Sequence, residues 1–218
     1  MACEHKFIND LQLQYVDWEV KTLFIGTFNP GWNECVNNNA SWFYGRTQRN
    51  EFWHILPYIH EQKSLMDGNR ESWIKFCKKN SIAITDILLK LNDADSANNE
   101  HRKIICNLKD DSLENFKVTI NDIAAILENH KSIRQICITR QTLPLFWENC
   151  FQNMIKFIKD NPLRNIQVLF LRSPSRGARN GVKGEFYKFI ANRWIEQGYK
   201  IDPLSFMKST MKYTKVYY

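Results

Sequence analysis

Residues 21–28 read KTLFIGTF, a nearly unbroken apolar run of strand length, and runs of the same kind recur along the chain. They are SIAITDIL (81–88), IRQICIT (133–139) and IQVLFLR (166–172). A strand that is apolar at almost every position is buried on both faces, which is typical of a parallel sheet. The sequence therefore predicts a central, mostly parallel four-stranded sheet.

Helical patterns separate these runs, at roughly residues 50–61, 70–80, 119–130, 141–159 and 183–197. Strands that alternate with helices form βαβ units, which place helices on both faces of the sheet. We therefore predict a three-layer α/β/α fold, in which ligands bind beyond the carboxyl ends of the strands.

Composition narrows the class of protein. The 218 residues contain 44% hydrophobic and 24% charged residues, as an ordinary folded protein does, and no linker or repeat divides them. We expect a single domain over residues 1–218, with its core at about 20–197. No apolar run reaches the ~18–20 residues of a membrane span, and the first residues mix charges where a signal peptide is apolar. The chain is expected to be monomeric, cytoplasmic and without a membrane partner.

The cysteines are scattered, with no C-x-x-C pair and no histidine at zinc-ligand spacing; they are Cys3, Cys35, Cys77, Cys106, Cys137 and Cys150. We therefore predict no metal site and no cofactor. Cys137 lies in the apolar run 133–139 and is expected to pack in the core. An intracellular address implies that the cysteines stay reduced.

The net charge of +7 favours a polyanionic partner. Basic residues cluster in three places, which are Arg46 with Arg49, Arg172 with Arg176, Arg179 and Lys183, and the tail from Lys208 to Lys215. Any one cluster alone is typical of solvated surface. Two of them coincide with the motifs described next, which favours nucleic acid.

The loop after the first predicted strand begins GTFNPG and is too long for a routine connection. Gly26 and Gly31 allow the backbone to approach a ligand closely, and Pro30 stiffens the turn. Asn29 is expected to project into the cleft, although an Asn in such a turn often satisfies only the turn itself.

The same loop continues as SWFYGRTQRNEFWHIL (41–56), with aromatic residues beside basic ones. Such a loop suits an extruded base that stacks on a ring while phosphates are held nearby. Phe52, Trp53 and Leu56 are expected to face inward from a helix, and Asn50 alone would be an ordinary helix cap.

Together these residues resemble the uracil-DNA glycosylase superfamily, specifically its mismatch-specific and hypoxanthine-DNA glycosylase branches. The matching positions are Gly26, Asn29, Pro30 and Gly31, then Phe43 or Tyr44, then Asn50, Phe52 and Trp53. The mismatch-specific branch carries its catalytic asparagine directly before the proline, which implies Asn29. The hypoxanthine branch uses the asparagine of Asn-x-Phe-Trp, which implies Asn50.

The resemblance also implies which residues contact the base and the DNA. Base-binding roles fall to Gly26, Thr27, Phe28, Phe43, Tyr44 and Asp86, although Asp86 would equally suit a cap of the turn after its strand. The loop LRSPSRGARNGVKGEF (171–186) looks like the superfamily's insertion loop, which enters the minor groove. DNA contacts are then expected from Arg46, Arg49, Ser173, Ser175, Arg176 and Arg179, with Arg176 or Arg179 as a plug or a phosphate contact.

The resemblance covers roughly residues 20–197 and implies hydrolysis of the N-glycosidic bond of uracil or of a deaminated or mismatched base in DNA. An Asn amide orients water but does not deprotonate it at neutral pH, so positioning and electrostatics would supply most of the rate. Two alternatives are a catalytically silent nucleic-acid-binding module and an α/β enzyme acting on free nucleosides. The base excised and the preference for single or double strands stay open.

Overall fold

The computed structural model describes residues 1–36, 40–45 and 50–200. Its strands are β1 (Cys3–Glu4), β2 (Thr22–Gly26), β3 (Ile82–Asp86), β4 (Leu88–Leu91), β5 (Val118–Ile120), β6 (Gln135–Ile138) and β7 (Gln167–Phe170). Its α-helices are α1 (Phe52–Ile59), α2 (Arg70–Lys79), α3 (Asn99–Ile105), α4 (Ile123–Asn129), α5 (Leu145–Cys150), α6 (Gln152–Asp160) and α7 (Phe186–Glu196).

The central sheet has four strands in the order β3-β2-β6-β7, and every neighbouring pair is parallel. All five residues of β3 and all four of β6 are buried. Strands of this kind need helices on both faces, which is why their sequences are apolar throughout. The predicted parallel sheet of four strands is confirmed.

Side chains alternate between the two faces of the sheet and build two apolar clusters. Leu23 and Ile25 of β2 pack with α4, α5 and α6 on one face. Phe24 of β2 packs with α1, α2 and α7 on the other face. Successive side chains of a strand point in opposite directions, so this alternation produces the three predicted α/β/α layers.

The run SIAITDIL forms two strands instead of one. The chain leaves the parallel sheet after Asp86 and enters a second, antiparallel sheet of order β1-β4-β5. Ile87 lies between the sheets, where its N–H donates to Gly26 O and its carbonyl accepts from Asn121 N. The second sheet and the short strand β1 were not predicted, because β1 has too few residues to show a period.

The helices differ from the predicted patterns in three places. The pattern at 119–130 begins within strand β5, and α4 starts only at Ile123. The pattern at 141–159 is divided into α5 and α6, which meet at Phe151. Helix α3 was not predicted; Asn98 caps it by accepting from the N–H groups of Glu100 and His101. Phe52, Trp53 and Leu56 are buried on α1, as expected.

The expectation that every cysteine is reduced is wrong. Cys35 and Cys106 form a disulfide with an S–S distance of 2.07 Å. They are 71 residues apart in sequence, and only the fold brings them together. Because disulfides persist mainly in oxidising compartments, the cysteines no longer support the prediction of a cytoplasmic address.

Candidate active site

A cleft of about 680 Å³ opens at the carboxyl edge of the parallel sheet. Each of its four strands contributes to the wall, since residues 27–29 follow β2, Asp86 ends β3, residues 139–141 follow β6 and residues 172–178 follow β7. A parallel sheet presents its carboxyl ends at one edge, and ligands bind there in open α/β folds. The cleft therefore lies where the fold class predicts a ligand site.

Asn29 lies in the wall of this cleft and is 4% exposed. Its side-chain nitrogen Nδ2 donates to Asp86 Oδ2 at 2.6 Å. The same carboxylate oxygen lies 2.8 Å from His5 Nε2. Asn29, Asp86 and His5 thus form one buried polar cluster, in which two side chains of the predicted site meet a histidine that the sequence did not point to.

The N-terminal segment brings His5 into the cluster. Lys6 N donates to Asn29 O at 2.8 Å, Gly31 N donates to Glu4 O at 2.9 Å, and His5 forms a β-bridge with Pro30. A Cβ on Gly31 would lie 2.8 Å from Glu4 O, so this close approach requires the glycine. The Asn29 turn is therefore fixed against residues 4–6.

Gly26 allows two polar groups to crowd over the end of β2. A Cβ at this position would lie 2.2 Å from Asp86 Oδ1 and 2.6 Å from Tyr44 Oη. Any larger residue would have to displace both groups, and both line the cleft. Gly26 thus acts through the space that it leaves and is itself buried.

The aromatic residues that were predicted to bind the base lie in different parts of the structure. Tyr44 and Phe28 line the cleft; the Tyr44 ring stacks on Phe52 with centroids 4.1 Å apart, and its hydroxyl pairs with Thr139 Oγ1 at 2.9 Å. Phe43 is 0% exposed and packs against Trp42 in the core. The expectation that Phe43 contacts the base is therefore wrong, since adjacent side chains of this turn point in different directions.

Thr27 also lines the cleft, where its hydroxyl donates to Asp110 Oδ2 at 2.7 Å. Asn50 lines the cleft as well. Its carbonyl oxygen accepts from Phe52 N at 2.8 Å at the start of α1. Asn50 thus serves the helix start with its oxygen, whereas the Asn29 amide contacts a carboxylate.

The loop after β7 is joined to the start of α1. Asn50 forms a β-bridge with Ser175, and Glu51 N donates to Pro174 O at 3.0 Å. Ser173 Oγ accepts from Ser175 N, which stiffens the turn. The two loops that carry the family resemblance therefore lie side by side, and Ser173 and Ser175 both line the cleft.

The arginines at the rim of the cleft differ in their ion-pair and hydrogen-bond partners. Arg176 Nε pairs with Glu51 Oε1 at 3.0 Å, while 44% of its side chain stays exposed. Arg172 donates to Ala178 O at 2.8 Å, and Arg140 pairs with Asp111. Arg179 is exposed and faces a second, shallower depression.

That depression lies next to the cleft and shares Arg176 with it. His54 lines it and stacks on Tyr187 with ring centroids 3.6 Å apart. Burial lowers the pKa of His54 below its ordinary value. The ring is thus favoured in its neutral form and adds no positive charge to the rim at neutral pH.

Arg46, Arg49 and the basic tail Lys208–Lys215 lie outside the described residues.

The four free cysteines are buried, and Cys137 packs in the core as predicted. Burial raises the pKa of the Cys3 thiol to about 11 and that of Cys150 to about 11. Burial also raises the thiol pKa of Cys77 and Cys137. A thiolate is the reactive form of cysteine, so these side chains are poor nucleophiles and serve packing.

In the described ranges, no three His, Cys, Asp or Glu side chains are grouped as ligands of a metal ion. No helix within residues 1–36, 40–45 and 50–200 has the length and apolar character to cross a membrane.

Sequence reasoning missed several residues of the cleft wall, including His5, Asp110, Thr139 and Arg140. Thr139 and Arg140 had a usable signal, because they directly follow the third predicted strand and the carboxyl ends of all four strands share one edge. His5 had none, since it is 81 residues from Asp86 in sequence.

No protein-family model and no curated protein matches the sequence. Among solved structures, the chain is similar to the solution NMR structure of a candidate uracil DNA glycosylase from Methanosarcina acetivorans. The two share 18% identity over 84% of this chain and 89% of the other, with a TM-score of 0.48. A similarity this low supports no argument about activity, which has to come from the cleft.

Proposed function

We propose that this chain is a DNA base glycosylase, which binds a damaged or mismatched base turned out of DNA and hydrolyses its N-glycosidic bond. The observation that carries the proposal is the 2.6 Å contact between the Asn29 amide and the Asp86 carboxylate in the cleft. The sequence resemblance of the Asn29-Pro30 turn and of loop 171–186 to the uracil-DNA glycosylase superfamily supports the same function.

The dimensions and lining of the cleft suit a nucleobase. A volume of about 680 Å³ lies within the range of ~300–1,000 Å³ that is usual for small-molecule sites. Tyr44 and Phe28 supply aromatic surface, and Thr27 and Asn50 supply polar groups. Extruded bases are held by this combination of rings and hydrogen-bonding side chains.

The polar cluster fits the chemistry of glycosidic hydrolysis. When the bond between sugar C1′ and the base nitrogen breaks, the bonding electron pair leaves with the base and the sugar becomes cationic. Water then bonds to C1′ and loses a proton, and the departing base anion takes up a proton to become the free base. A carboxylate accepts that proton at neutral pH, whereas an amide does not. We assign the proton to Asp86 and the orientation of the water to Asn29.

Asp86 has a second effect on the same step. A carboxylate beside the sugar stabilises the positive charge that develops there, and this attraction is stronger in a site that excludes water. Asp86 is 2% exposed, so its charge is screened little by solvent. The donors from Asn29 and His5 fix the carboxylate before reaction, so little reorganisation is needed.

The proposal is tested with labelled oligonucleotides that carry uracil, hypoxanthine, xanthine or a G·T mismatch, as duplexes and as single strands. We expect release of free base from uracil or from a deaminated purine. Because the sequence has no ligand-spaced Cys and His, base release should persist in EDTA. A loss in EDTA that zinc or magnesium restores would show that the chemistry needs a metal.

The same experiment separates the two alternative functions. A silent binding module would retain the oligonucleotides without releasing base. An enzyme for free nucleosides would hydrolyse those instead and would respond little to salt, whereas affinity for DNA falls steeply as the salt concentration rises.

Arg176→Ala is expected to reduce base release about 10-fold more from a well-paired duplex than from a single strand or a mismatch. Extrusion of a paired base costs a few kcal/mol, and a side chain inserted in the gap prevents the base from returning. The Arg176–Glu51 pair is partly exposed, so exchanging it for a DNA contact costs little. Single-turnover rates on the three substrates measure the effect.

Arg193→Ala is the matched control, because Arg193 is similarly exposed and also pairs with a glutamate, Glu196 at 2.8 Å, but does not line the cleft. Equal losses on all three substrates from Arg176→Ala would indicate a phosphate contact instead of a plug. No loss on any of them would place Arg176 on ordinary solvated surface.

A further inference from the structure

We propose that His5 is a positioning residue of the cleft, which holds the Asp86 carboxylate and, through it, the Asn29 amide in the arrangement that the reaction uses. This inference deepens the proposed function and rests on it. It assigns a role to the N-terminal segment, which precedes the part of the sequence that resembles a known family.

The hydrogen bonds of the ring determine its tautomer. His5 Nδ1 lies 3.0 Å from Phe7 N, which donates to it, so Nδ1 carries no proton. The proton of the neutral ring therefore lies on Nε2, which donates to Asp86 Oδ2 at 2.8 Å. Asn29 Nδ2 donates to the same oxygen at 2.6 Å. Two donors thus fix one oxygen of the carboxylate.

Fixing Oδ2 also sets the position of Oδ1, because the carboxylate is planar and its Cβ is held by the backbone at the end of β3. Oδ1 lies over Gly26, 2.2 Å from the position that a Cβ there would take, and Tyr44 Oη lies 2.6 Å from that position. Asp86 and Tyr44 both line the cleft. The orientation of the carboxylate toward the proposed reacting water therefore depends on the donors at Oδ2.

Backbone hydrogen bonds connect the N-terminal segment to the two chain segments that carry Asp86 and Asn29. His5 N donates to Leu89 O at 2.9 Å on β4, three residues after Asp86. On the other side, Lys6 N donates to Asn29 O at 2.8 Å. The N-terminal segment is thus hydrogen-bonded to both, and a shift of His5 would move Asn29 and Asp86 relative to each other.

Aromatic rings enclose the imidazole. The rings of Phe7, Phe28 and Phe43 lie 5.6 to 5.8 Å from it, centroid to centroid, and its side chain is 0% exposed. An apolar side chain would suit this surrounding without the cost of burying a polar group. What the imidazole adds is a donor aimed at the carboxylate, and this is the feature that distinguishes positioning from packing.

Two substitutions separate those roles. His5→Phe keeps a ring among the phenylalanines but removes the donor, and we expect kcat to fall about 10- to 100-fold with KM unchanged, as for a reacting group displaced by about 1 Å. His5→Gln keeps a side-chain N–H near the position of Nε2 and should stay within a few-fold of wild type. Equal losses of kcat in both variants would contradict the proposal.

A double-mutant cycle provides the second readout. If His5 acts through Asp86, adding His5→Phe to Asp86→Asn should lower kcat no further, because coupled residues are not additive. A residue that only stabilises the fold would lower kcat again in that background. An additive loss would therefore overturn the proposal.

His101→Phe is the matched control. His101 Nδ1 also accepts a backbone N–H, from Asp95 at 3.0 Å, and its ring also meets a phenylalanine edge, Phe116 at 5.0 Å, but it does not line the cleft. This variant should keep wild-type kcat. Thermal unfolding of all variants shows whether any loss of rate follows a loss of folded protein.

A readout that does not depend on activity separates failure of this inference from failure of the proposed function. In NMR spectra, the side-chain amide signals of Asn29 should shift in His5→Phe and stay in place in His101→Phe. If wild-type protein releases no base from any oligonucleotide, the proposed function fails, and these signals still decide whether His5 holds the pair. Unchanged Asn29 signals in His5→Phe would overturn the inference.

Discussion

Asp86→Asn is expected to lower the single-turnover rate of base release about 100- to 10,000-fold, the range that a general base contributes. The substitution keeps the size of the side chain and an oxygen that still accepts hydrogen bonds. It removes both the proton acceptor and the negative charge beside the cationic sugar. Rates are measured with enzyme in excess over an oligonucleotide that the wild type cleaves.

Asp160→Asn serves as the control for this variant. Asp160 ends α6 shortly before β7 begins, which places it toward the amino edge of the sheet, and it pairs with Lys156 in an exposed position. The Asp160→Asn variant should cleave at the wild-type rate. A folded Asp86→Asn variant that stays within a few-fold of wild type would show that another group accepts the proton.

Asn29→Ala is expected to reduce the single-turnover rate at least ~100-fold, on the scale of losing one pre-organised electrostatic group. The amide both orients the proposed water and contacts Asp86 at 2.6 Å. Single-turnover cleavage by Asn29→Ala and Asn50→Ala, with unfolding measured alongside, tests which of the two family positions carries the reaction.

Asn50→Ala should lose mainly stability, about 1 kcal/mol, because its carbonyl oxygen accepts from Phe52 N at the start of α1. Asn33→Ala is the control for the Asn29 loop, since Asn33 is exposed a few residues further on. A large loss of cleavage rate in Asn50→Ala, with little loss of rate in Asn29→Ala, would assign the catalytic amide to Asn50, the position that the hypoxanthine branch uses. Near wild-type rates in both folded variants would rule out the amide mechanism.

The sheet was predictable because burial on both faces leaves a strong local signal. Leu23, Phe24 and Ile25 are all buried, so apolar residues fill successive positions of β2. The end of β3 had no such signal. Ile87 and Leu88 are as apolar as Ile82 and Ile84, and the single charged residue of SIAITDIL, Asp86, does not by itself show that the chain passes into a second sheet. Hydrogen bonds of Ile87 to Gly26 and Asn121 set the boundary.

The site was predictable where its residues lie in one loop and unpredictable where the fold brings distant segments together. The GTFNPG turn pointed to Asn29, which lines the cleft. The same loop could not show that Tyr44 lines the cleft while Phe43 is buried, because that depends on the positive φ of 56° at Tyr44. His5 near Asp86 and Cys35 bonded to Cys106 are likewise products of tertiary structure.

The measurement that tests the proposed function most directly is mass analysis of the products from a duplex that carries a single uracil or hypoxanthine. The proposed chemistry breaks only the bond between C1′ and the base. It therefore predicts free base and an unbroken strand with one abasic site, in equal amounts, with EDTA present and with Asp86→Asn as the inactive reference. Intact strands throughout the panel, or release that Asp86→Asn and Asn29→Ala leave unchanged, would contradict it.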